Sequence, residues 1–223
     1  NIDVKYAEEH GIAVRNTPRA SSDSVAELTL AHMLTLARFV GISNVTMRKG
    51  EWNKKQYEGI ELNGKTLGLI GMGRISRSLA KKAEALGMNI IYTDIVGKMH
   101  DLPYEFHADK ESILKNGDFV SLHIPAAADG KPVIGAAEIA LMKPTAYLLI
   151  AARGGLVDED ALCDALDAGK LAGAALDVFA SEPLKNERIM NNDKISLTPH
   201  IGGSTKEAQG RIGMEIVDII NSF

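Results

Sequence analysis

The chain has 223 residues, of which 45% are hydrophobic and 24% charged, and a formal net charge of −4 at pH 7. This is the composition of a globular protein with a substantial core, and its charge gives no reason to expect nucleic acid or an anionic membrane as a partner. The single cysteine, Cys163, excludes an internal disulfide and no apolar run reaches 18 residues, so we expect a cytoplasmic protein without a membrane span.

The first 49 residues predict a small N-terminal unit, a linker and a long helix. Residues 1–16 combine a short helical or turn segment with an apolar strand at 11–14. The polar stretch that contains Pro18 is typical of a linker or hinge. Ser24 and Glu27 have capping-box spacing and open a helix that runs to about Val40, with an extension to residue 49 left open.

Apolar residues cover more than one face of this long helix. Such a helix is expected to be buried by more than its own domain, which favours a homodimer through the helix that starts near Ser24. A central core helix within a monomer is the alternative. His32 lies inside the helix and is interpreted as a packing or interface residue.

Residues 65–94 form the unit around which the chain is organised. A buried strand at 66–70 runs into a glycine turn, a helix follows from Ile75 to Leu86, and a second strand at 89–93 ends on Asp94. Strand, glycine turn, helix, strand and acid within roughly 30 residues are what a dinucleotide-binding site requires.

The residue types of this unit fit that chemistry. Gly71 permits the tight turn, and Gly73 leaves room for a pyrophosphate at the N-terminus of the helix. Ser76 occupies the third glycine position, where it is small enough for close helix–strand packing. Asp94 can accept hydrogen bonds from the ribose hydroxyls and would repel a 2′-phosphate, so the predicted cofactor is NAD rather than NADP.

Strands and helices alternate through the rest of the chain. This alternation predicts an α/β fold, a Rossmann-type doubly wound parallel sheet with helices on both faces. The predicted helices are residues 109–116, 136–142, 158–166 and, opened by a capping-box pattern at Ser204, 204–219; the predicted strands are residues 119–123, 146–151, 173–178 and 195–197.

Three side chains at predicted strand ends suit hydride transfer to a 2-keto acid. Open parallel sheets bind ligands at the carboxyl ends of their strands, where Arg153, Glu182 and His200 fall. Arg153 can hold a carboxylate and polarise a carbonyl, His200 can exchange a proton, and Glu182 can favour the charged imidazole. Considered singly, Arg153 could be a surface arginine, Glu182 a solvated glutamate and His200 a structural histidine. No cluster of His, Cys, Asp and Glu has metal-ligand spacing, so we expect no metal.

Several motifs resemble the D-isomer-specific 2-hydroxyacid dehydrogenases, and the resemblance covers essentially the whole chain. They are Asn-Thr-Pro at 16–18, Ser-Val-Ala-Glu-Leu at 24–28, Leu-Asn-Gly-Lys-Thr-Leu-Gly at 62–68, Ala-Arg-Gly-Gly at 152–155, Ala-Ala-Leu-Asp-Val-Phe at 174–179 and Pro-His-Ile-Gly at 199–202. Gly-Glu-Trp at 50–52 and the segment 204–209 most resemble the branch of the family that acts on 3-phosphoglycerate.

The resemblance implies a role for each matching position. Arg153, Glu182 and His200 match the substrate-binding arginine and the Glu–His acid/base pair, and Asp177 is expected to bond the nicotinamide carboxamide. The cofactor-binding positions implied by the motifs or by the glycine unit are Gly71, Gly73, Arg74, Ile75, Asp94, His123, Ile124, Pro125, Ala151, Ala152, Arg153, Asp177, His200, Gly202 and Gly203.

The sequence departs from the family pattern at a few places. Ile124 stands where the family usually has Thr, Ile150 stands where Asn is common, and residues 126–133 form an unusual loop. By the resemblance, residues 1–16 are the remnant of a substrate-binding domain, 17–203 the NAD-binding Rossmann domain and 204–223 a helix returning to the substrate domain. We therefore expect a complete cofactor domain and an incomplete enzyme.

The function implied by the resemblance is NAD-dependent oxidation of a D-2-hydroxy acid, with 3-phosphoglycerate in L-serine biosynthesis as the expected substrate. Reduction of hydroxypyruvate, glyoxylate or a D-lactate precursor on the same scaffold is the alternative within the family. An NAD-sensing, corepressor-type binding protein is the alternative from another class, and retention of Arg153, Glu182 and His200 argues against it.

Overall fold

The computed structural model describes residues 2–127 and 129–222 and confirms the predicted α/β fold. Within the described residues, seven strands form one fully parallel sheet in the order β3-β2-β1-β4-β5-β6-β7, a doubly wound arrangement. The strands are β1 (Thr66–Ile70), β2 (Asn89–Thr93), β3 (Glu105–Phe106), β4 (Phe119–Leu122), β5 (Tyr147–Ile150), β6 (Gly173–Leu176) and β7 (Ile195–Leu197).

Helices cover both faces of this sheet, and each face has its own apolar core. One core joins the sheet to α2 (Ser22–Arg38) and α4 (Arg74–Ala85), and the other joins it to α5 (Lys110–Asn116), α6 (Ala136–Ile139), α7 (Glu159–Asp167) and α8 (Glu187–Met190). Because both faces are covered, the central strands are mostly apolar, with Thr66 in β1 and Ser121 in β4 as the polar residues of β1, β4 and β5 apart from Tyr147. The remaining helices are α1 (Val4–Glu9), α3 (Val40–Arg48) and α9 (Lys206–Asn221).

The strand register brings the ends of six strands into one row. Neighbouring strands pair in the order Thr93, Ile70, Leu122, Ile150, Leu176 and Leu197. The residues that follow each of these positions therefore leave the sheet at the same edge and at nearly the same height. The candidate site is built on this edge.

Most predicted elements agree with the structure because their local signals are strong. The strands at 66–70, 89–93 and 195–197 match residue for residue. Asp158 caps α7 as predicted by accepting the N–H groups of Asp160 and Ala161, and Asp109, at the predicted start of α5, accepts the N–H of Ser112. Gly87 and Gly169 follow the ends of α4 and α7 with positive φ, as expected of C′ glycines.

The predicted strand at 11–14 is wrong. The segment is irregular, Ile12 is 57% exposed, and its backbone N–H bonds the carbonyl of Ala7 at the end of α1. In the described part of the chain, no strand pairs with this segment. An apolar run without a paired neighbour cannot satisfy its backbone groups as a strand.

The long helix is two helices joined at Phe39, whose φ of 55° breaks the hydrogen-bond ladder. α2 and α3 meet with a bend of 65°. No single helix among residues 2–127 and 129–222 is long and apolar enough to cross a membrane, although α2 and α3 meet the criterion of length and composition as a bent pair. α2 packs on α4 and on β5, β6 and β7, so much of its apolar surface is covered within the chain.

Both predicted capping boxes are misplaced. α2 begins at Ser22, and the hydroxyl of Ser24 lies inside the helix, 2.8 Å from the hydroxyl of Thr205. Thr205, rather than Ser204, caps α9 by accepting the backbone N–H of Ala208. The two hydroxyl groups thus join the starts of α2 and α9, a tertiary contact that overrides the local pattern.

Candidate active site

A cleft of about 470 Å³ opens at the carboxyl edge of the sheet. It collects predicted residues from the ends of β4, β5 and β6 and from the segment after β7, together with the start of α4. The predicted site residues that line it are Gly73, Arg74, Ile75, His123, Ala151, Ala152, Arg153, Asp177, His200, Gly202 and Gly203. Gly71, Asp94, Ile124, Pro125 and Glu182 lie outside its lining.

The turn after β1 requires glycine at its first position. Gly71 has a φ of +87°, and its N–H donates to the carbonyl of Thr93 on the neighbouring strand. A Cβ at this position would lie 2.6 Å from Cγ2 of Ile124 and 2.8 Å from the carbonyl oxygen of His123. The turn is therefore packed directly against the end of β4.

The start of α4 has the properties of an anion site. Gly73 is its N-cap residue, no side chain caps the helix, and a Cβ on Gly73 would meet nothing within 4 Å. The unpaired N–H groups of the first turn therefore face open space at the positive end of the helix dipole. Arg74 donates through Nε to the carbonyl of Pro18, 3.1 Å away, which ties the linker to this turn.

Ser76 fits the third glycine position and has a use for its hydroxyl. The side chain is fully buried between α4 and the sheet, and Oγ donates to the carbonyl of Gly71. The departure from glycine therefore leaves the turn intact and satisfies one of its carbonyl groups.

Asp94 is held beside the turn. Its Oδ2 accepts the N–H of Met72 at 2.7 Å and its Oδ1 accepts the N–H of Val96 at 3.1 Å. The carboxylate is half-buried. Each oxygen keeps a lone pair for a further donor, so the geometry fits a ribose diol.

His200 and Glu182 are bonded to each other. Nδ1 of His200 lies 2.7 Å from Oε2 of Glu182, while Oε1 accepts the N–H of Phe179. The hydrogen bond from His200 holds the pKa of Glu182 below its usual range, against an opposing effect of partial burial. Because an ionised carboxylate can only accept, Nδ1 carries a proton and Nε2 is the atom free to exchange one.

Asp177 fixes the segment that carries His200. The residue is buried, with 1% of its surface exposed. Its Oδ1 accepts the hydroxyl of Thr198 at 2.6 Å and the N–H of Ile201 at 2.9 Å, and its Oδ2 accepts the N–H of Gly202 at 2.8 Å. These charge-assisted bonds stabilise a carboxylate that would otherwise be costly to bury.

Arg153 lies on an exposed loop after β5, with its guanidinium bonded to the carbonyl of Ala152 at 2.6 Å. Gly154, the next residue, allows this loop to lie in direct contact with the loop after β6. A Cβ on Gly154 would lie 1.8 Å from the carbonyl oxygen of Phe179, a contact that only glycine permits. Arg153 is thereby kept on the same edge as His200.

His123 supplies a buried polar atom without a partner among the described residues. Its Nε2 is 2.9 Å from the hydroxyl of Ser121, but its buried Nδ1 has no hydrogen-bond partner. Burial lowers the pKa of His123 to about 4, so the ring is neutral at pH 7. An orphaned nitrogen on the wall of the cleft, together with the open space at Gly73, fits a bound polar cofactor.

The sequence analysis missed one wall of the cleft. Residues of the predicted linker and the first turns of α2 line it, namely Asn16, Thr17, Pro18, Ser21, Ser22 and Val25. The polar run around Pro18 was the available signal, but it indicated only a hinge. Across the described ranges, no group of three His, Cys, Asp or Glu side chains is arranged to hold a metal ion.

Comparison with known proteins agrees with this geometry. Residues 30–202 match the family model described as the NAD-binding domain of D-isomer specific 2-hydroxyacid dehydrogenases. The chain is 46% identical to a D-3-phosphoglycerate dehydrogenase of Methanocaldococcus jannaschii, over 99% of this chain and 43% of that protein. It is 45% identical to a hydroxypyruvate reductase of Thermotoga maritima, over 99% of this chain and 72% of that protein.

Solved structures give the same result. A glyoxylate reductase from Paecilomyes thermophila superposes with a TM-score of 0.91 at 36% identity, covering 99% of this chain and 68% of the other. An NADPH-dependent glyoxylate/hydroxypyruvate reductase from Sinorhizobium meliloti, in complex with NADP and malonate, superposes with a TM-score of 0.89 at 29% identity, covering 99% of this chain and 70% of the other. The chain spans less than half of the length of the M. jannaschii relative.

Proposed function

Because the chain belongs to the D-isomer-specific 2-hydroxyacid dehydrogenases, as their NAD-binding domain, we propose that it carries the acid/base pair and the substrate arginine of a dehydrogenase acting on a D-2-hydroxy acid. The observation that carries this proposal is the 2.7 Å bond between His200 and Glu182 beside a cleft that also contains Arg153 and Gly73. Proton exchange, carboxylate binding and pyrophosphate binding are thus available on one edge of the sheet.

The residues that would hold NAD follow from this edge. The first turn of α4 at Gly73 and Arg74 suits the pyrophosphate, and Asp94 suits the ribose diol. The wall at His123 suits the adenine side of the cofactor, and the wall at Ala151 suits the nicotinamide half. When bound, NAD supplies the hydride acceptor for the carbon that carries the substrate hydroxyl. Asp94 would also repel a 2′-phosphate, so NAD is preferred to NADP in this proposal.

Side chains of the protein exchange the hydroxyl proton of the substrate and bind its negatively charged carboxylate. Nε2 of His200 takes the hydroxyl proton during oxidation and returns it during reduction, while Glu182 stabilises the imidazolium that forms. The guanidinium of Arg153 binds the substrate carboxylate and polarises the adjacent carbonyl oxygen. These three roles need no further side chain from the described residues.

We propose 3-phosphoglycerate as the substrate, oxidised to 3-phosphohydroxypyruvate in cytoplasmic L-serine biosynthesis. The M. jannaschii relative, at 46% identity, carries that enzyme's name. Hydroxypyruvate or glyoxylate is the second candidate. The T. maritima hydroxypyruvate reductase is almost as similar in sequence, and the chain covers a larger share of its length than of the M. jannaschii relative. D-lactate dehydrogenation on the same scaffold is a further candidate of this class.

We also propose that residues 1–16 and 204–223 belong to a substrate-binding domain, with residues 17–203 as the NAD-binding domain. Asn1 and Phe223 lie outside the described residues. Exposed apolar side chains on α1 and α9, such as Val4, Tyr6, Met214 and Ile220, support this assignment, since they are surfaces that a second domain would cover.

A homodimer is proposed through the arm formed by α2 and α3. α3 has no buried residue, and the arm exposes Leu34, Val40, Val45 and Met47, with Trp52 just beyond it. A nine-residue helix with no buried residue gains little stability from packing and is marginally stable in water. Light scattering at tens of micromolar concentration tests the proposal, and a monomer there contradicts it.

Calorimetric titration with NAD and with NADP tests the cofactor site. We expect saturable NAD binding and much weaker NADP binding. Asp94→Ala should weaken NAD binding by roughly tenfold or more, because charge-assisted bonds to the ribose are lost. Asp193→Ala, at an exposed aspartate far from the cleft, is the matched control and should bind as the unaltered chain does. Equal affinity of the Asp94 and Asp193 variants would contradict the site.

Turnover by the full-length gene product tests the reaction. The candidate substrates are 3-phosphoglycerate, D-glycerate, glycolate and D-lactate, with NAD reduction followed by absorbance. His200→Asn should lower kcat by roughly 10²–10⁴-fold through loss of acid/base catalysis. His100→Asn, at an exposed histidine, should leave kcat unchanged. Comparable turnover in both variants would remove His200 from the mechanism, and the substrate with the highest kcat/KM decides between the candidates.

A further inference from the structure

α2 carries a buried histidine that the proposed reaction does not use. His32 is 4% exposed and faces the end of β7. Its Nδ1 lies 2.8 Å from the hydroxyl of Ser196, and its Nε2 lies 3.0 Å from the hydroxyl of Thr198. Both ring nitrogens are therefore engaged with the strand that leads to His200.

The direction of these hydrogen bonds follows from Asp177, the last residue in the series His32, Thr198, Asp177. The carboxylate of Asp177 can only accept hydrogen bonds, so the hydroxyl of Thr198 donates its one hydrogen to Oδ1 of Asp177. Thr198 must then accept from His32, which places the ring proton on Nε2. In the neutral ring, Nδ1 accepts from the hydroxyl of Ser196. Burial lowers the pKa of His32, an effect only partly opposed by the charge of Asp177, so the ring is neutral at pH 7.

This chain of bonds ends on the segment that carries His200. Asp177 accepts the N–H groups of Ile201 and Gly202, and His200 itself has a φ of +55°. A residue other than glycine in the left-handed region costs roughly 1 kcal/mol or more and persists where the surroundings over-determine it. The bonds on either side of His200, through Thr198 and through Ile201, supply that constraint.

We propose that His32 is a positioning residue: through Thr198 and Asp177 it holds the segment 198–202 in the strained conformation that presents His200 to the cleft. The link to proton transfer rests on the proposed function, whereas the link to the conformation of the segment does not. His32 acts from α2 and is not among the residues that line the cleft, whereas Asp177 is.

Amide hydrogen exchange on the 223-residue chain tests the conformational part without any ligand. In His32→Leu, the N–H groups of Ile201 and Gly202 should lose protection by roughly tenfold, because Thr198 loses its donor. In His32→Gln, the side-chain amide can still donate to Thr198, and protection should stay within about threefold of the unaltered chain. The amide of Leu149 in β5 reports global stability and should change less than that of Gly202.

Two further variants keep the test decisive. Thr29→Val removes another buried hydroxyl from α2, one bonded only to the carbonyl of Val25, and should leave the segment protected. Thr198→Val breaks the same chain of bonds from its other side and should expose the Ile201 and Gly202 amides even if His32→Leu does not fold. Unchanged protection in a folded His32→Leu overturns the proposal, and so does an equal loss at Leu149. If His32→Leu does not fold, unchanged protection in Thr198→Val overturns it.

Kinetics of the full-length gene product test the link to the reaction. His32→Leu should lower kcat by roughly tenfold, because one buried hydrogen bond is lost, and should leave KM for the acid within about twofold. His32→Gln should restore most of the lost kcat. An unaltered protein that turns over no D-2-hydroxy acid overturns the proposed function, while the exchange experiment still decides the role of His32. Unaltered turnover in His32→Leu, with exposed amides, overturns the catalytic link alone.

Discussion

Replacing Gly71 by alanine should destabilise the protein more than the same change at Gly64, another glycine with positive φ. An alanine with φ near +87° costs about 1–2 kcal/mol from backbone strain alone. Its Cβ would also lie 2.6 Å from Cγ2 of Ile124 and 2.8 Å from the carbonyl oxygen of His123. Overpacking of this kind adds about 1–3 kcal/mol, so the free energy of unfolding should fall by about 2–5 kcal/mol in total.

Gly64 is the matched control for this substitution. Its φ is +75°, and a Cβ there would meet nothing within 4 Å, so Gly64→Ala should show the strain alone, about 1–2 kcal/mol. Urea unfolding followed by circular dichroism gives both values, provided the slopes agree. Ile124→Ala in the Gly71→Ala background should recover part of the loss and leave the overlap with the carbonyl of His123. Equal destabilisation by the Gly64 and Gly71 variants would refute the claim that the turn is packed against β4.

Substitutions at three other positions test single side chains by urea unfolding. The folded-state pKa of His123 lies below the unfolded value of about 6.5, so stability falls as pH drops from 6.5 towards 4, by up to about 3 kcal/mol; His123→Gln should remove this loss, and an unchanged pH dependence would contradict it. Partial burial raises the pKa of Asp118, but bonds from Lys143 and a backbone N–H outweigh it and the net shift is downward. That contribution is present above about pH 4 and lost as pH falls through the folded-state pKa, so Asp118→Asn should destabilise by about 1 kcal/mol at pH 7 and by little at pH 2. Ser76→Ala should cost about 1–3 kcal/mol by leaving the carbonyl of Gly71 unpaired, and Ser76→Thr, which keeps the hydroxyl in a tighter space, tests whether the bond or the volume matters.

The fold could be predicted from the sequence where the signals are local. The apolar run at 66–70, the cap at Asp158 and the glycines at 87 and 169 after α4 and α7 are short-range features, and the structure agrees with them. The failures come from tertiary context. Residues 11–14 have the composition of a strand but no paired neighbour, and the hydroxyl of Ser24 bonds Thr205 instead of capping its own helix.

The candidate site likewise contains residues that the sequence could predict and a contact that it could not. His200 and Glu182 could be chosen because their residue types, beside strand ends, match one chemistry and one family pattern. The contact between His32 and Thr198 spans 166 positions and depends on how α2 lies across β7. No local pattern encodes such a contact, so the sequence indicated only a packing or interface residue there.

The strand register explains how the proposed site residues come together from positions so far apart in sequence. Ile70, Leu122, Ile150, Leu176 and Leu197 form one row across five neighbouring strands. The residues one to three positions beyond that row supply the glycine turn, His123, Arg153, Asp177 and His200. A slip of one residue in any strand would shift its contribution by about 3.3 Å and turn the side chains to the other face of the sheet. Each core contact that fixes the register therefore also fixes the site, and a substitution within the row should lower catalytic activity before it unfolds the protein.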